Sequence, residues 1–317
     1  MYDPRQRGPA GRVGGQGSGV RRIPGHQSVA LRITRNCQVK NKASLLAVPV
    51  LPLVALFCVS VIWVIFVSLS STNPRFLYGL PPTVTNYLSV FNTPFAYRSI
   101  WRSIYLGVVS TAICIALGFL TASHISRNER RKDMIVSIIL SVYMVSFIVK
   151  IFALSIILAP AGPLNELLQA SGLADSPMIF MGTELAVVIG LVYTALPITI
   201  LVLLSQFEQI PHYYNEAAAC FGANRWQRLR HVHLPLSMPG IMTCIVFTLP
   251  PSIAAFEVPM LLGRGKVNMI STQIFQSSSG VSGANWPLAA SLSVILLLIS
   301  GGIILTIQYW MARRNIV

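Results

Sequence analysis

The feature that most restricts this chain is a set of long stretches without charge. Between Lys42 and Arg75 lie 32 uncharged residues, densest from about Ser44 to Ser68. Five more follow. They run from Ser103 to about Ile125, from Met134 to Leu158 (interrupted by Lys150), from Leu185 to Ser205, from about Met238 to Leu262 (interrupted by Glu257 and Pro250-Pro251), and from Leu288 to Met311. A membrane helix needs about 20 mostly apolar residues. Lipid offers no water to pair a backbone N–H or C=O, so each stretch is expected to be helical. The alternating pattern of a membrane barrel is not present. The first stretch is longer than the h-region of a signal peptide and is expected to persist as an anchor. The expected fold class is therefore an all-α membrane protein with six transmembrane helices.

Composition supports this. The 317 residues are 54% hydrophobic and 10% charged, against roughly 25% charged in a soluble domain. That balance argues against a soluble enzyme, a disordered protein, a nucleic-acid binder and a disulfide scaffold. The 24 basic and nine acidic residues give a net charge of +15. Their location carries the meaning. Nine basic residues precede Ser44, four (Arg127, Arg130, Arg131, Lys132) follow the second stretch, three (Arg225, Arg228, Arg230) follow the fourth, and Arg313 and Arg314 close the chain. Five lie on the opposite side: Arg75, Arg98, Arg102, Arg264 and Lys266. Lys and Arg concentrate on the cytoplasmic side, so both termini are expected there. The charge then reads as an orientation signal, with a nucleic-acid patch the weaker alternative and no nucleic acid expected as a partner.

The arm, residues 1–43, has seven glycines in its first 25 positions and few large apolar residues, and is expected to be disordered. Its basic residues either rest on anionic lipid or form a dispensable tail. The membrane domain is expected over 44–312 and a short cytoplasmic tail over 313–317. Cys37, Cys58, Cys114, Cys220 and Cys244 form no C-x-x-C and read as unpaired thiols.

One cytoplasmic loop, 206–237, is elaborated: QFEQIPHYYNEAAACFGANRWQRLRHVHLPLS. Pro211 suits a helix start, and Glu216 to Ala219 favour helix. Gly222 suits a left-handed cap, and Asn224 suits the cap of a second helix. That second helix is expected over Arg225–His231, ending before Pro235. Two short helices joined at a glycine result.

Here the chain resembles a known family. Glu216-Ala217-Ala218, then Gly222, then Val232, Leu234 and Pro235 match the EAA motif of ABC-transporter permeases, E-A-A-x3-G-x9-I-x-L-P. Val232 in place of isoleucine is the one departure. GPLNELLQASGL (162–173), IGLVYTALP (189–197), LPLSMPGI (234–241), the FEVPMLLG region (256–263) and NWPLAASLS (285–293) resemble the spermidine/putrescine-type permeases among them. The resemblance covers about residues 45–312. It implies a type I importer permease of the bacterial inner membrane that forms half of a channel and pairs with a second permease. It also implies an ABC ATPase dimer beneath the pair and an extracytoplasmic solute-binding protein above. The EAA helix would dock on the ATPase, where ATP and magnesium would bind. The cargo would be a polyamine or a related cationic or zwitterionic solute.

The residues suit that role. Small Ala217 and Ala218 admit a close partner surface, Glu216 can accept hydrogen bonds, and a Cβ at Gly222 would add strain. No G-x-x-x-x-G-K-[ST] loop is present, so no cofactor and no catalytic residues are expected on this chain. His212, His231 and His233 lack a convincing companion ligand and read as solvated or interface groups, with no metal.

Lys150 and Glu257 interrupt apolar stretches, and such groups are costly in lipid. On straight helices at ~1.5 Å per residue they stand roughly 24 Å and 28 Å from the inner face. Either both face the pathway and pair, or Lys150 snorkels to headgroups and Glu257 sits in an outer loop. Lys150 stands where many of the resembled permeases carry arginine. Tyr143, Tyr193 and Phe256 are further candidate walls for a cation. Pro250 and Pro251 are expected to break or kink the fifth helix, and Pro197 to bend the fourth mildly. Leu164, Leu167 and Leu168 are expected on one face of a short outer helix. Rival classes are a secondary transporter or channel without an ATPase, a membrane enzyme, and a scaffold.

Overall fold

The computed structural model describes residues 50–71, 79, 82–126, 129–173, 175–211, 213–280 and 284–313. The arm 1–43 and most of the tail lie outside these. The chain divides into two compact units, Met1–Ser60 and Val61–Val317. The described part of the first is the leading portion of helix α1, Val50–Ser68.

Apolar content and length make four helices long enough to cross a membrane: α1, α3 (Pro94–Ile125), α7 (Glu184–Glu208) and α14 (Trp286–Arg313). Between them lie α2 (Thr85–Asn92), α4 (Glu129–Met144), α5 (Phe147–Ile157), α6 (Pro163–Ala170), α8 (Tyr213–Cys220), α9 (Arg225–Arg228), α10 (Leu234–Leu236), α11 (Met238–Ala254), α12 (Glu257–Leu262) and α13 (Ile270–Ser279). The second apolar stretch thus starts nine residues earlier than its charge-free part, with Pro94 in the first helical turn where its missing N–H costs nothing. Pro197 lies within α7 without interrupting it.

Two expectations are corrected. The third apolar stretch is not one rod: α4 and α5 meet at 92° across Val145 and Ser146, where Ser146 is extended (ψ 134°). The depth of roughly 24 Å assigned to Lys150 on a straight helix therefore does not hold. The fifth stretch is broken too, but not at its prolines. Pro250 and Pro251 sit inside α11. Each proline withholds a ladder bond and crowds the preceding carbonyl, yet helical conformation continues through Ala254. The chain then opens at Ala255 (ψ 128°) and α12 begins at Glu257. Ser271 Oγ on α13 donates to the Ala255 carbonyl at 2.5 Å and satisfies the group that the break releases.

The core of the second unit is built where small residues let helices touch. A Cβ on Gly107 of α3 would fall 2.6 Å from Ile253 Cγ1 on α11, and one on Gly118 would fall 2.9 Å from Thr199 Cγ2 on α7. Close backbone approach at small residues is how helices associate without a hydrophobic driving force. One cluster gathers Leu106, Ile151, Val187, Leu191, Val258 and Leu262; a second gathers Phe119, Ala122, Leu203, Leu204, Phe207 and Cys244. Phe119 and Phe207 meet at 5.2 Å.

The last turn of α1 is pinned by polar contacts. Asn86 Nδ2 donates to the carbonyls of Ser68 (3.1 Å) and Ser70 (2.8 Å), and Ser291 Oγ of α14 donates to Ser68 O at 3.2 Å. In α6, Leu164 and Leu168 are half-buried while Leu167 points out, so the expected three-leucine face is two leucines around a buried Asn165. Cys58, Cys114, Cys220 and Cys244 are free thiols.

Candidate functional site

The loop between α7 and α11 forms a built knob. α8 ends in the backbone pattern that its sequence favours: Gly222 is left-handed (φ +73°) and Ala223 N–H donates to Ala218 O at 3.0 Å. That bond closes the last turn of a helix that a glycine terminates. The second helix starts at Asn224, whose backbone N–H donates to Gln227 Oε1 at 2.8 Å, half of a capping box.

Its end differs from expectation. Helical structure does not stop before Pro235. After α9 it passes through a five-residue π turn, Leu229–His233, and on through Leu234–Leu236. Pro235 is tolerated near the start of a new helical segment, and the π turn absorbs the bond that a proline withholds. The run Trp226–Leu236 then meets α11 at 67°, at buried Ser237. His233 is not solvated: it is buried, edge-on to Phe207 of α7 at 5.5 Å. His231 is exposed with Nδ1 3.1 Å from Gln227 O; His212 lies outside the described residues.

Of the motif positions, Glu216, Ala217, Gly222, Leu234 and Pro235 are exposed, and Ala218 and Val232 are half-buried. The knob thus presents its motif outward. It also presents aromatics that the sequence reading passed over: Phe221 is 92% exposed, Trp226 65% and Tyr213 59%. Large apolar residues within a polar loop are the signal that marks them. The Tyr213 and Tyr214 rings meet at 4.4 Å, tilted by 35°, and their hydrogen bond holds the Tyr213 phenol above its ordinary pKa. An apolar groove of about 400 Å³ separates the knob (Trp226, Leu229, Leu234) from α3 (Ala116, Phe119, Leu120), with Arg230 also lining it.

The second candidate region surrounds the two broken helices. Lys150 is buried (6% exposed), and α5 packs on α12 through Ile151, Val258 and Leu262. Its ammonium lies 3.5 Å from the Tyr143 carbonyl and 5.9 Å from that ring's centroid. Glu257 opens α12 and is half-buried. Among the described residues the ion pairs are Arg102–Glu184 (2.9 Å) and Lys132–Glu208 (2.6 Å); Lys150 and Glu257 do not form one. Beside Glu257, Phe256 packs on Phe275 of α13 at 4.8 Å, an aromatic the sequence reading did not single out. Pro250 is buried and Pro251 exposed. No group of three metal-binding side chains occurs among the described residues.

Residues 114–316 match the family model described as the binding-protein-dependent transport system inner membrane component. The chain belongs to that family. It is an ABC-transporter inner-membrane permease, a multi-pass protein of the bacterial inner membrane. Among curated relatives of this permease are the spermidine/putrescine transport system permease protein PotB of Haemophilus influenzae, 31% identical across 79% of this chain and 86% of the relative. PotB of Escherichia coli is 29% identical over 73% and 83%. Among solved structures, a bacterial ABC transporter involved in the import of the acidic polysaccharide alginate superposes with a TM-score of 0.71 at 20% identity, covering 88% of this permease and 99% of that chain. The MetNI methionine ABC transporter gives 0.52 at 18% identity, over 70% and 95%. These structural likenesses show the fold.

Proposed function

We propose that this permease forms half of the translocation channel of an ATP-driven polyamine importer. It spans the membrane with six units, each bent pair crossing as one, and both termini are cytoplasmic. A second permease completes the channel, an extracytoplasmic solute-binding protein delivers cargo, and an ABC ATPase dimer, which holds ATP and magnesium, grips the knob. The observation that carries this reading is the knob itself. Glu216, Ala217 and Gly222 are exposed on a capped helix, and Phe221 projects almost wholly into solvent beside them. An unsupported loop yields when pushed; two capped helices joined to α11 through one buried residue transmit the push. The polyamine assignment rests on the PotB relatives and suits Glu257 with the Phe256–Phe275 pair, since an aromatic face attracts a cation.

The test is reconstitution of the permease with an ABC ATPase, a second permease and a solute-binding protein from the same organism. Uptake of labelled putrescine or spermidine that needs ATP is expected, and co-purification of the ATPase is expected to be lost in Glu216→Lys. ATP-independent uptake abolished by a proton uncoupler would instead make it a secondary transporter.

A further inference from the structure

The break between α4 and α5 leaves the carbonyl end of α4 open, and the last carbonyls of any helix lack an intrahelical partner and carry negative partial charge. In transporters built on discontinuous helices, such ends coordinate cations. Tyr143 belongs to this last turn. Its carbonyl and its ring face both receive the same group, the Lys150 ammonium, at 3.5 Å and 5.9 Å. Among the described residues no carboxylate lies within 4 Å of that ammonium to neutralise it. A buried charge in a membrane protein held only by a helix end and a ring face is a cation in a cation receptor. The arm that delivers it is four methylenes tipped by an ammonium, which is a diaminobutane lacking one of its two ammonium groups. Tyr143 is 37% exposed, so the receptor is reachable from outside the packed core.

We propose that the Tyr143 end of α4 is a cation subsite of the pathway, filled by Lys150 in the resting protein and taken over by the ammonium of an alkylamine in transit. Lys150 is then a tethered competitor. It keeps the receptor occupied when cargo is absent and holds the bend between α4 and α5 at the same time. The cargo class rests on the importer reading above, but the subsite does not need it.

The test measures equilibrium binding of labelled putrescine and of n-butylammonium to the assembled transporter in nanodiscs, without the binding protein. A tether raises the local concentration of the competing ammonium to the millimolar range. Lys150→Met is therefore expected to bind either probe at least tenfold more tightly than the unsubstituted transporter. Lys150→Arg, which keeps the competing charge, is expected to bind like it. Tyr143→Leu added to Lys150→Met is expected to return part of the gain, because the ring is lost while the carbonyl remains. An assembled Lys150→Met transporter that binds both probes no better than before overturns the proposal, as does an equal gain in Lys150→Arg. Should Lys150→Met fail to assemble, Lys150→Gln is read by the same criteria. Tight n-butylammonium binding in Lys150→Met without any polyamine uptake by the unsubstituted importer would sink the polyamine reading and leave the subsite standing.

Discussion

The side chain of Asn165 and the backbone of Met178 exchange two hydrogen bonds: Asn165 Nδ2 donates to Met178 O, and Met178 N–H donates to Asn165 Oδ1, both at 3.0 Å. A third bond from Nδ2 reaches Ala159 O at 3.0 Å. Asn165 is fully buried, so this amide does for the segment after α6 what a strand partner does elsewhere. Asn165→Ala leaves the Met178 N–H without its partner, while Met178 O and Ala159 O keep the Phe180 and Gly162 N–H groups. A loss of about 1–3 kcal/mol is expected, read as a lower midpoint of thermal unfolding in detergent.

Gly107 sets the distance between α3 and α11. Its missing Cβ would sit 2.6 Å from Ile253 Cγ1, and Ile253 is buried and stiff at χ1. Gly107→Ala is expected to cost about 1–3 kcal/mol by overpacking. Pairing it with Ile253→Val, which trims the facing side chain, is expected to recover part of that in the same melting assay.

Gly222 makes the opposite demand. Nothing lies within 4 Å of a Cβ there, yet its φ is +73°. Gly222→Ala is therefore expected to cost only the left-handed strain, about 1–2 kcal/mol. ATPase co-purification is expected to weaken and not vanish. Complete loss on this substitution would mean that the glycine is a contact, and not merely a turn.

Arg102 and Glu184 form an ion pair at 2.9 Å with both side chains more than a third exposed. Exposed pairs contribute little and are screened by salt. Glu184→Gln is expected to change stability by less than about 1 kcal/mol, with the difference shrinking further at high salt in the same thermal assay.

Legibility followed the physics of each signal. The helix at 184–208 was plain because charge bounds it on both sides and apolar residues fill it. The knob was plain because Gly222 and Asn224 mark helix ends locally: Gly222 is left-handed and the second helix follows Asn224, though the Gln227 contact with the Asn224 N–H was not foreseen. The 92° break at Val145–Ser146 was hidden, since neither glycine nor proline marks it. At Pro250-Pro251 the expectation was a break or a kink; the break lies four residues later, at Ala255, where Ser271 of α13 donates to the released carbonyl. The Phe256–Phe275 contact depends on tertiary packing, and no local pattern announces it.

The elbow at Ser237 has a mechanical consequence. Its N–H donates to His233 O at 2.8 Å, and its carbonyl accepts from Ile241 N–H at 2.9 Å, so hydrogen bonds stiffen the joint from both directions. The segment on one side spans 226–236 and that on the other 238–254, arms of roughly 16 Å and 25 Å at 1.5 Å per residue. A stiff corner with unequal arms is a bell crank. A nudge of one ångström delivered at Trp226 swings the far tip of the longer arm by roughly one and a half, in a different direction, at the very place where α12 begins.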